Sequence, residues 1–238
     1  MTIVEAHRMF DIYLDKISSE AYPEVSSLEK DIFLRNATNK FVKTRYGKNN
    51  IYQAGFEEIQ KRTDDLRTLV VTGFPEVSEY SYADNTYVID LTKIYTDDED
   101  KTIDTLSSDL YWFFLKGEAL RIDPTCGSNY IECKLVQQDD LIRTLKDPFN
   151  SPSKYRAIMY FEGGNIFVKC AKDNTISNFK LTFLKQPAQV YVNTSGGDNV
   201  EFDLPDHTHE EVVKLAVQEA IETIESQRIQ TFNTNTIE

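Results

Sequence analysis

Two histidines near the last helical segment are the residues with the clearest capacity for chemistry. His207 and His209 stand close to Asp203 and Asp206 in the sequence. Imidazole and carboxylate groups are ligands that bind divalent transition metals. However, both histidines fall in a turn and a first helical turn, and no third strong ligand follows at a fixed spacing. We therefore expect a structural turn here, with no bound metal and no cofactor.

The densest run of carboxylates is DDED at residues 97–100. Catalytic carboxylates need burial or a positioned partner that separates their pKa values, whereas four adjacent acids at a hairpin tip are solvated. The glycine pairs at 163–164 and 196–197 lack the strand–glycine–helix order of a phosphate-binding loop. No nucleophile motif is present either. The sequence therefore predicts a protein without a catalytic site.

A band of basic residues is the clearest charged feature of the N-terminal part. From Ile32 to Phe56 the sequence contains no acidic residue. This basic band consists of Arg35, Lys40, Lys43, Arg45 and Lys48. It has two interpretations, which are contact with an acidic protein or a nucleic-acid backbone, and an ordinary solvated helix face. We retain the five residues as candidate interface residues.

The composition is that of a folded protein that carries a strong negative charge. Of the 238 residues 40% are hydrophobic, and no apolar run reaches the roughly eighteen residues of a membrane span. The three cysteines form no C-x-x-C pair, which argues against a disulfide framework and a zinc site. Residues 1–75 carry eleven basic and eleven acidic residues, so the net charge of −13 falls on residues 76–238. Such a domain repels nucleic acid as a whole.

The first part of the chain has the pattern of a helical module. Thr2 with Glu5 and Ser26 with Glu29 each form the spacing of a capping box, which marks a helix start. Apolar residues then recur with the helical period, and Gly47 ends the second helix. The predicted helices cover approximately Ile3–Ala21, Ser27–Tyr46 and Ile51–Leu66.

From Arg67 the apolar period changes from that of a helix to that of a strand. The segments are rich in β-branched and aromatic residues, and Gly163-Gly164 predicts a hairpin turn between two of them. A loop containing Pro75 is expected between the first two strands, and a short helix is expected at Asp139–Lys146. The predicted strands are Leu69–Thr72, Tyr87–Tyr95, Leu110–Ile122, Tyr130–Val136, Arg156–Glu162, Asn165–Ala171 and Ile176–Leu184.

The segment Leu204–Glu225 predicts a long amphipathic helix. Thr208 is the predicted N-cap, with Glu211 completing a capping box. An apolar stripe that includes Val213 and Val217 needs a surface to cover it, and the strands before it supply one. We therefore predict an α+β fold, with an N-terminal helical module, a mostly antiparallel β domain and a C-terminal amphipathic helix that closes this domain. The expected divisions are residues 1–75, 76–225 and 226–238.

The polar C-terminal tail, residues 226–238, has few apolar side chains to bury. Ordering a residue costs ~1–2 kcal/mol of backbone entropy, which Ile229 and Phe232 cannot offset alone. We expect this tail to bind another chain, with these two side chains as its anchors.

Several segments resemble virion proteins of crAss-like and related short-tailed phages of Bacteroidetes. They are FDIYLDKISSEAYPEVSSLEKDIFLRNATNKFVKTRYG, FEEIQKRTDDLRTLV, DDLIRTLKDPFNSPS and LPDHTHEEVVKLAVQEAIETIESQR. The resemblance spans most of the chain, although residues 80–135 carry little of it. In that family the product is a ring or adaptor protein between the portal vertex and the tail.

The resemblance implies a structural virion protein, a head-to-tail connector, rather than an enzyme. It implies a homo-oligomeric ring, with twelve subunits as in portal-associated rings, that contacts the portal protein and other tail ring or hub proteins. The ring would be assembled in the cytoplasm of the bacterial host and would lie in the tail and portal region of the virion, away from any membrane. Genomic DNA would pass through it without specific binding, because an acidic wall offers no phosphate contacts.

Two other functions remain open on the sequence. A tail-hub, tail-completion or capsid-decorating protein would share this composition. A cytosolic metal-dependent hydrolase is the alternative from another functional class. Ring-shaped particles in electron micrographs would favour a virion protein, whereas a monomer with metal-dependent activity would favour the hydrolase.

Overall fold

The computed structural model describes residues 1–15, 25–47, 60–81, 84–95, 105–106, 111–123, 127–172, 174–193 and 197–223. The helices are α1 (Ile3–Asp15), α2 (Ser27–Tyr46), α3 (Gln60–Leu66), α4 (Gln138–Lys146) and α5 (Asp206–Thr223), and a 3-10 turn covers Arg67–Leu69. The strands are β1 (Val70–Ser81), β2 (Thr86–Tyr95), β3 (Thr105–Leu106), β4 (Tyr111–Asp123), β5 (Gly127–Leu135), β6 (Arg156–Glu162), β7 (Asn165–Lys169) and β8 (Thr175–Lys185).

The chain forms two compact units. The helical unit comprises Met1–Leu69 together with Pro187–Glu238, and the barrel unit comprises Val70–Gln186. The first boundary therefore lies at Leu69 instead of near residue 75, and the segment that contains α5 belongs with the N-terminal helices. None of the described helices combines the length and the apolar character that a bilayer span requires.

The first two helices begin at the predicted capping boxes. The Thr2 backbone N–H donates to the Glu5 carboxylate at 2.9 Å, and the Glu5 N–H donates to the Thr2 hydroxyl at 3.3 Å. The same reciprocal pair joins Ser26 and Glu29 at 2.8 and 3.3 Å. These bonds satisfy backbone donors that have no partner inside the helix. Both predicted helix starts are therefore confirmed. They could be predicted because the two residues of a capping box are only three positions apart in the sequence.

The start of α5 corrects the predicted cap. The helix begins at Asp206, so Thr208 is its third residue. The Thr208 hydroxyl donates to the Pro205 carbonyl oxygen at 2.8 Å, and the Thr208 N–H donates to the same oxygen at 3.0 Å. Glu211 binds Arg45 with its carboxylate. Thr208 and Glu211, which were expected to form a capping box, thus bind the Pro205 carbonyl and Arg45 instead.

The apolar stripe of α5 is buried against other helices of the same unit. Val213, Ala216, Val217 and Ala220 are fully buried, and α5 packs on α1 and α2. This corrects the expectation that α5 closes the β domain. The helical period of apolar residues predicts that one side of a helix is buried, but it does not predict which element buries it.

The strands of the barrel unit form a closed sheet. Within the described residues, seven strands follow in the order β1, β8, β4, β5, β6, β7 and β2, and β2 pairs again with β1. The pairings are antiparallel except for β5 with β6, which is parallel. The short β3 pairs with the end of β2. A parallel neighbour requires a crossover connection, and α4 lies in the connection from β5 to β6.

The strand β1 closes the barrel by changing its partner halfway. Val70–Gly73 pairs with β8, and Phe74–Ser81 pairs with β2. Pro75 lies inside this strand next to a register shift, where the missing proline N–H interrupts no regular ladder. This corrects the predicted loop at Pro75, since a proline at a bulge is compatible with a strand.

The barrel interior is densely packed around one glycine. Gly117 of β4 is buried, and a Cβ atom there would lie 2.8 Å from both the Met159 sulfur and the Phe179 ring. Gly163 and Gly164 have φ values of +59° and +87°, which confirms the predicted two-residue hairpin between β6 and β7. The remaining core is apolar and includes Ile89, Ile131, Ile166 and Phe183.

Candidate interaction surfaces

Arg45 is the member of the basic band with the most clearly defined partners. Its Nε atom lies 3.0 Å from Asp65 Oδ2, and a terminal nitrogen lies 2.5 Å from a Glu211 carboxylate oxygen. Asp65 is only 1% exposed, and the Arg45 guanidinium also lies 4.7 Å from the Phe41 ring centroid. Arg45 therefore links α2, α3 and α5 of its own chain.

The other basic residues of the band differ in their surroundings. Lys40 and Lys43 are exposed and line an open groove together with Glu219 and Glu222 of α5. Arg35 is half-buried, and Lys48 lies outside the described residues. The helix α2 carries five basic and two acidic residues, whereas α5 carries one basic and five acidic residues. The acidic helix thus complements much of the basic band within the same unit.

The two histidines of the first turn of α5 form hydrogen bonds that stabilise the start of this helix. His207 Nε2 lies 2.9 Å from Asp65 Oδ1, so His207 and Arg45 share one carboxylate. The buried His209 donates from Nε2 to the Leu204 carbonyl oxygen at 2.8 Å and packs on the Phe202 ring. Among the residues that the structure describes, no three His, Cys, Asp or Glu side chains are grouped as metal ligands would be.

A second buried carboxylate, on Asp31, was not predicted from the sequence. Asp31 is 3% exposed and accepts hydrogen bonds from His7 Nε2 at 2.8 Å and from the Val192 N–H at 3.2 Å. It thereby joins the backbone at Val192 to α1 and α2. A signal was available, because Asp31 precedes Leu34 and Thr38 by three and seven residues and so lies on the buried face of α2.

The two described cysteines are buried in the barrel unit. Burial raises the pKa of the Cys170 thiol to about 12, and burial also raises the pKa of Cys133. A thiol that stays protonated at neutral pH is a poor nucleophile. The described thiols thus have a packing role.

Four other features that the sequence singled out lie outside the described residues, namely the acidic run at 97–100, Cys126, Ile229 and Phe232.

Three large apolar side chains on α4 and in the segment after it are exposed in the barrel unit. No residue of α4 is buried. Ile142 is 66% exposed, Phe149 in the following turn is 85% exposed, and Tyr155 is 71% exposed. We call these three side chains the α4 patch. Exposed clusters of large apolar residues commonly mark sites of protein–protein contact.

Comparison with known proteins places the chain among phage structural proteins. The model of a family described as phage tail ring protein 3/4 matches residues 1–234. Ring protein 4/5 of Bacteroides phage crAss001 is 26% identical over 234 residues, which cover 92% of this chain and 91% of that relative. These findings confirm the resemblance to the ring proteins of crAss-like phages. The chain therefore belongs to the phage tail ring protein 3/4 family.

Proposed function

We propose that this chain assembles with copies of itself into a head-to-tail connector, a ring between the portal and the tail of a short-tailed phage. The observation that carries the proposal is the match of the family over residues 1–234, which includes both structural units. In this function the protein forms part of the wall of the DNA conduit and performs no catalysis. Its partners are sister subunits, the portal protein, and other tail ring or hub proteins.

The contacts of the helical unit support a structural role. Asp65 and Asp31 are buried and bind side chains or backbone from separate segments of the chain. Their interactions hold α1, α2, α3 and α5 in a fixed arrangement. A ring subunit requires such rigidity, because each contact must recur with the same geometry around the ring.

The charge distribution supports passage of DNA without specific binding. The chain carries a net charge of −13, and much of the basic band faces acidic residues of α5. Protein affinity for DNA depends on lysine and arginine contacts to phosphates. A wall with an excess of acidic residues would let the genome move during ejection.

The proposal is tested by co-expression of the full chain with the portal protein of the same phage. We expect a closed ring in negative-stain images and a single multimer in native mass spectra, with twelve subunits as the resemblance to portal-associated rings implies. A chain that stays monomeric in every condition, including with the portal, overturns the proposal.

The position of the ring in the virion needs a separate measurement. Cryo-electron microscopy of the intact tail should place the ring next to the portal. Density in the tail hub or on the capsid would replace the connector with one of those virion functions. A metal-dependent hydrolytic activity of the monomer would instead support the cytosolic hydrolase.

A further inference from the structure

We propose that the α4 patch binds a second copy of this chain and forms part of the contact between neighbouring subunits. The inference rests on the proposed ring assembly and identifies the surface that holds the ring together. In a cyclic ring each subunit presents one surface to the next subunit and a different surface to the previous one. The α4 patch is one of these two surfaces.

The helix α4 is amphipathic, yet its apolar side is incompletely covered. Leu141, Ile142 and Leu145 lie on one side of the helix at helical spacing. A helix with this pattern normally buries its apolar side. Here Leu141 and Leu145 are half-buried, and Ile142 is 66% exposed. The chain itself thus covers only part of the apolar side.

The turn after α4 presents an aromatic side chain from a fixed backbone. The Phe149 N–H donates to the Asp147 carboxylate at 2.9 Å, and the Arg156 guanidinium donates to the Phe149 carbonyl oxygen. The Asn150 amide also donates to Asp147, at 2.6 Å. Phe149 is nevertheless 85% exposed. An aromatic side chain on an ordered backbone loses little entropy on binding, which is typical of an interface anchor.

Local charge favours a second copy of the chain as the occupant. Two copies that each carry a net charge of −13 repel one another at long range. Within the barrel unit, residues 135–155 carry three acidic and three basic residues, so the local net charge around the α4 patch is zero. A neutral apolar surface allows two like-charged molecules to meet with the least repulsion. A strongly cationic partner or DNA would find no net opposite charge there.

The occupant can be identified by photo-crosslinking in the assembled ring. A photoreactive phenylalanine analogue is placed at Ile142 of the full-length chain, which is co-expressed with the portal protein. The control carries the same analogue at Asp140, which lies on the polar side of the same helix. We expect a covalent dimer of this chain from position 142 and none from position 140. A crosslink from 142 to the portal or another tail protein overturns the inference, as does equal crosslinking from both positions.

A pair of substitutions tests whether the patch is needed for assembly. Ile142→Asp and Arg143→Gln change the net charge equally, and the two positions lie about 100° apart around α4, with only Ile142 on its apolar side. We expect Ile142→Asp to weaken self-association by about tenfold or more, and Arg143→Gln to change it less than about twofold. If Ile142→Asp lowers the melting temperature, Phe149→Ser at the more exposed position replaces it.

The outcomes separate this inference from the proposed function. If the wild-type chain forms rings and the variants Ile142→Asp and Phe149→Ser form them equally well, the inference is overturned and the ring function stands. A wild-type chain that forms no ring with the portal overturns the proposed function, and the inference fails with it.

Discussion

Single buried carboxylates organise the helical unit. Asp65 lies between Arg45 and His207, and Asp31 lies between His7 and the Val192 N–H. A buried carboxylate is costly to desolvate unless charges and hydrogen bonds surround it. Each of these residues therefore fixes the positions of its partners as well as its own.

We expect Asp65→Asn to destabilise the protein by roughly 1–3 kcal/mol, because the amide keeps the shape of the carboxylate but removes its charge from beside Arg45. The control is Asp64→Asn, since Asp64 is exposed on the same helix. Urea unfolding of both variants measures the difference in the free energy of unfolding. Equal stability of the two variants would show that the Asp65 ion pair is not a net stabilising contact.

The sequence predicts such residues only where their partners are near in the chain. The capping boxes at Thr2 and Ser26 join residues three positions apart, so their spacing is visible. The partners of Asp65 are 20 and 142 positions away, at Arg45 and His207. No local pattern encodes such a pair. The basic band was visible, but its acidic complement on α5 was not.

At the level of elements, the sequence predicts what each segment forms better than what it contacts. The period of α5 and its buried stripe were predicted, whereas its packing on α1 and α2 was not. Most strands were predicted near their observed bounds, yet closure of the barrel depends on β1 pairing with both β8 and β2. Pairing of distant strands is set by the three-dimensional packing.

Burial of the α5 stripe predicts a large effect of a single charge. Val217 is fully buried, so Val217→Asp should lower the free energy of unfolding by about 3 kcal/mol or more. The adjacent Gln218→Asp places the same carboxylate at a half-exposed position, where we expect a change of about 0.5 kcal/mol. Thermal melts followed by circular dichroism compare the two. Equal melting temperatures would contradict the burial of the stripe.

At the level of the whole molecule, the negative charge is distributed differently from the sequence-based expectation. Residues 187–238 carry two basic and ten acidic residues, so they hold −8 of the net charge of −13. This segment belongs to the helical unit, whereas residues 70–186 of the barrel unit hold −5. Net charge does change near residue 75 of the sequence. This change does not separate a neutral unit from an acidic unit, because the acidic segment Pro187–Glu238 belongs to the same unit as Met1–Leu69.

The polar C-terminal tail, residues 226–238, lies outside the described residues, and its role is an expectation from the sequence. Its anchors for another chain remain Ile229 and Phe232. If a sister subunit or the portal binds this segment, the isolated protein does not need it for stability. Deletion of residues 227–238 should then leave the melting temperature nearly unchanged and weaken incorporation into the tail.

The deletion is best compared with the full-length double variant Ile229→Ser and Phe232→Ser. This variant keeps the length of the segment and removes only its apolar anchors. Apolar burial contributes about 25 cal/mol per Å², so loss of both side chains should reproduce most of the deletion's effect on incorporation. Quantification of the protein in purified tails by mass spectrometry measures that effect. If the deletion unfolds the isolated chain, the segment belongs to the chain's own core and the proposed contact with another chain is wrong.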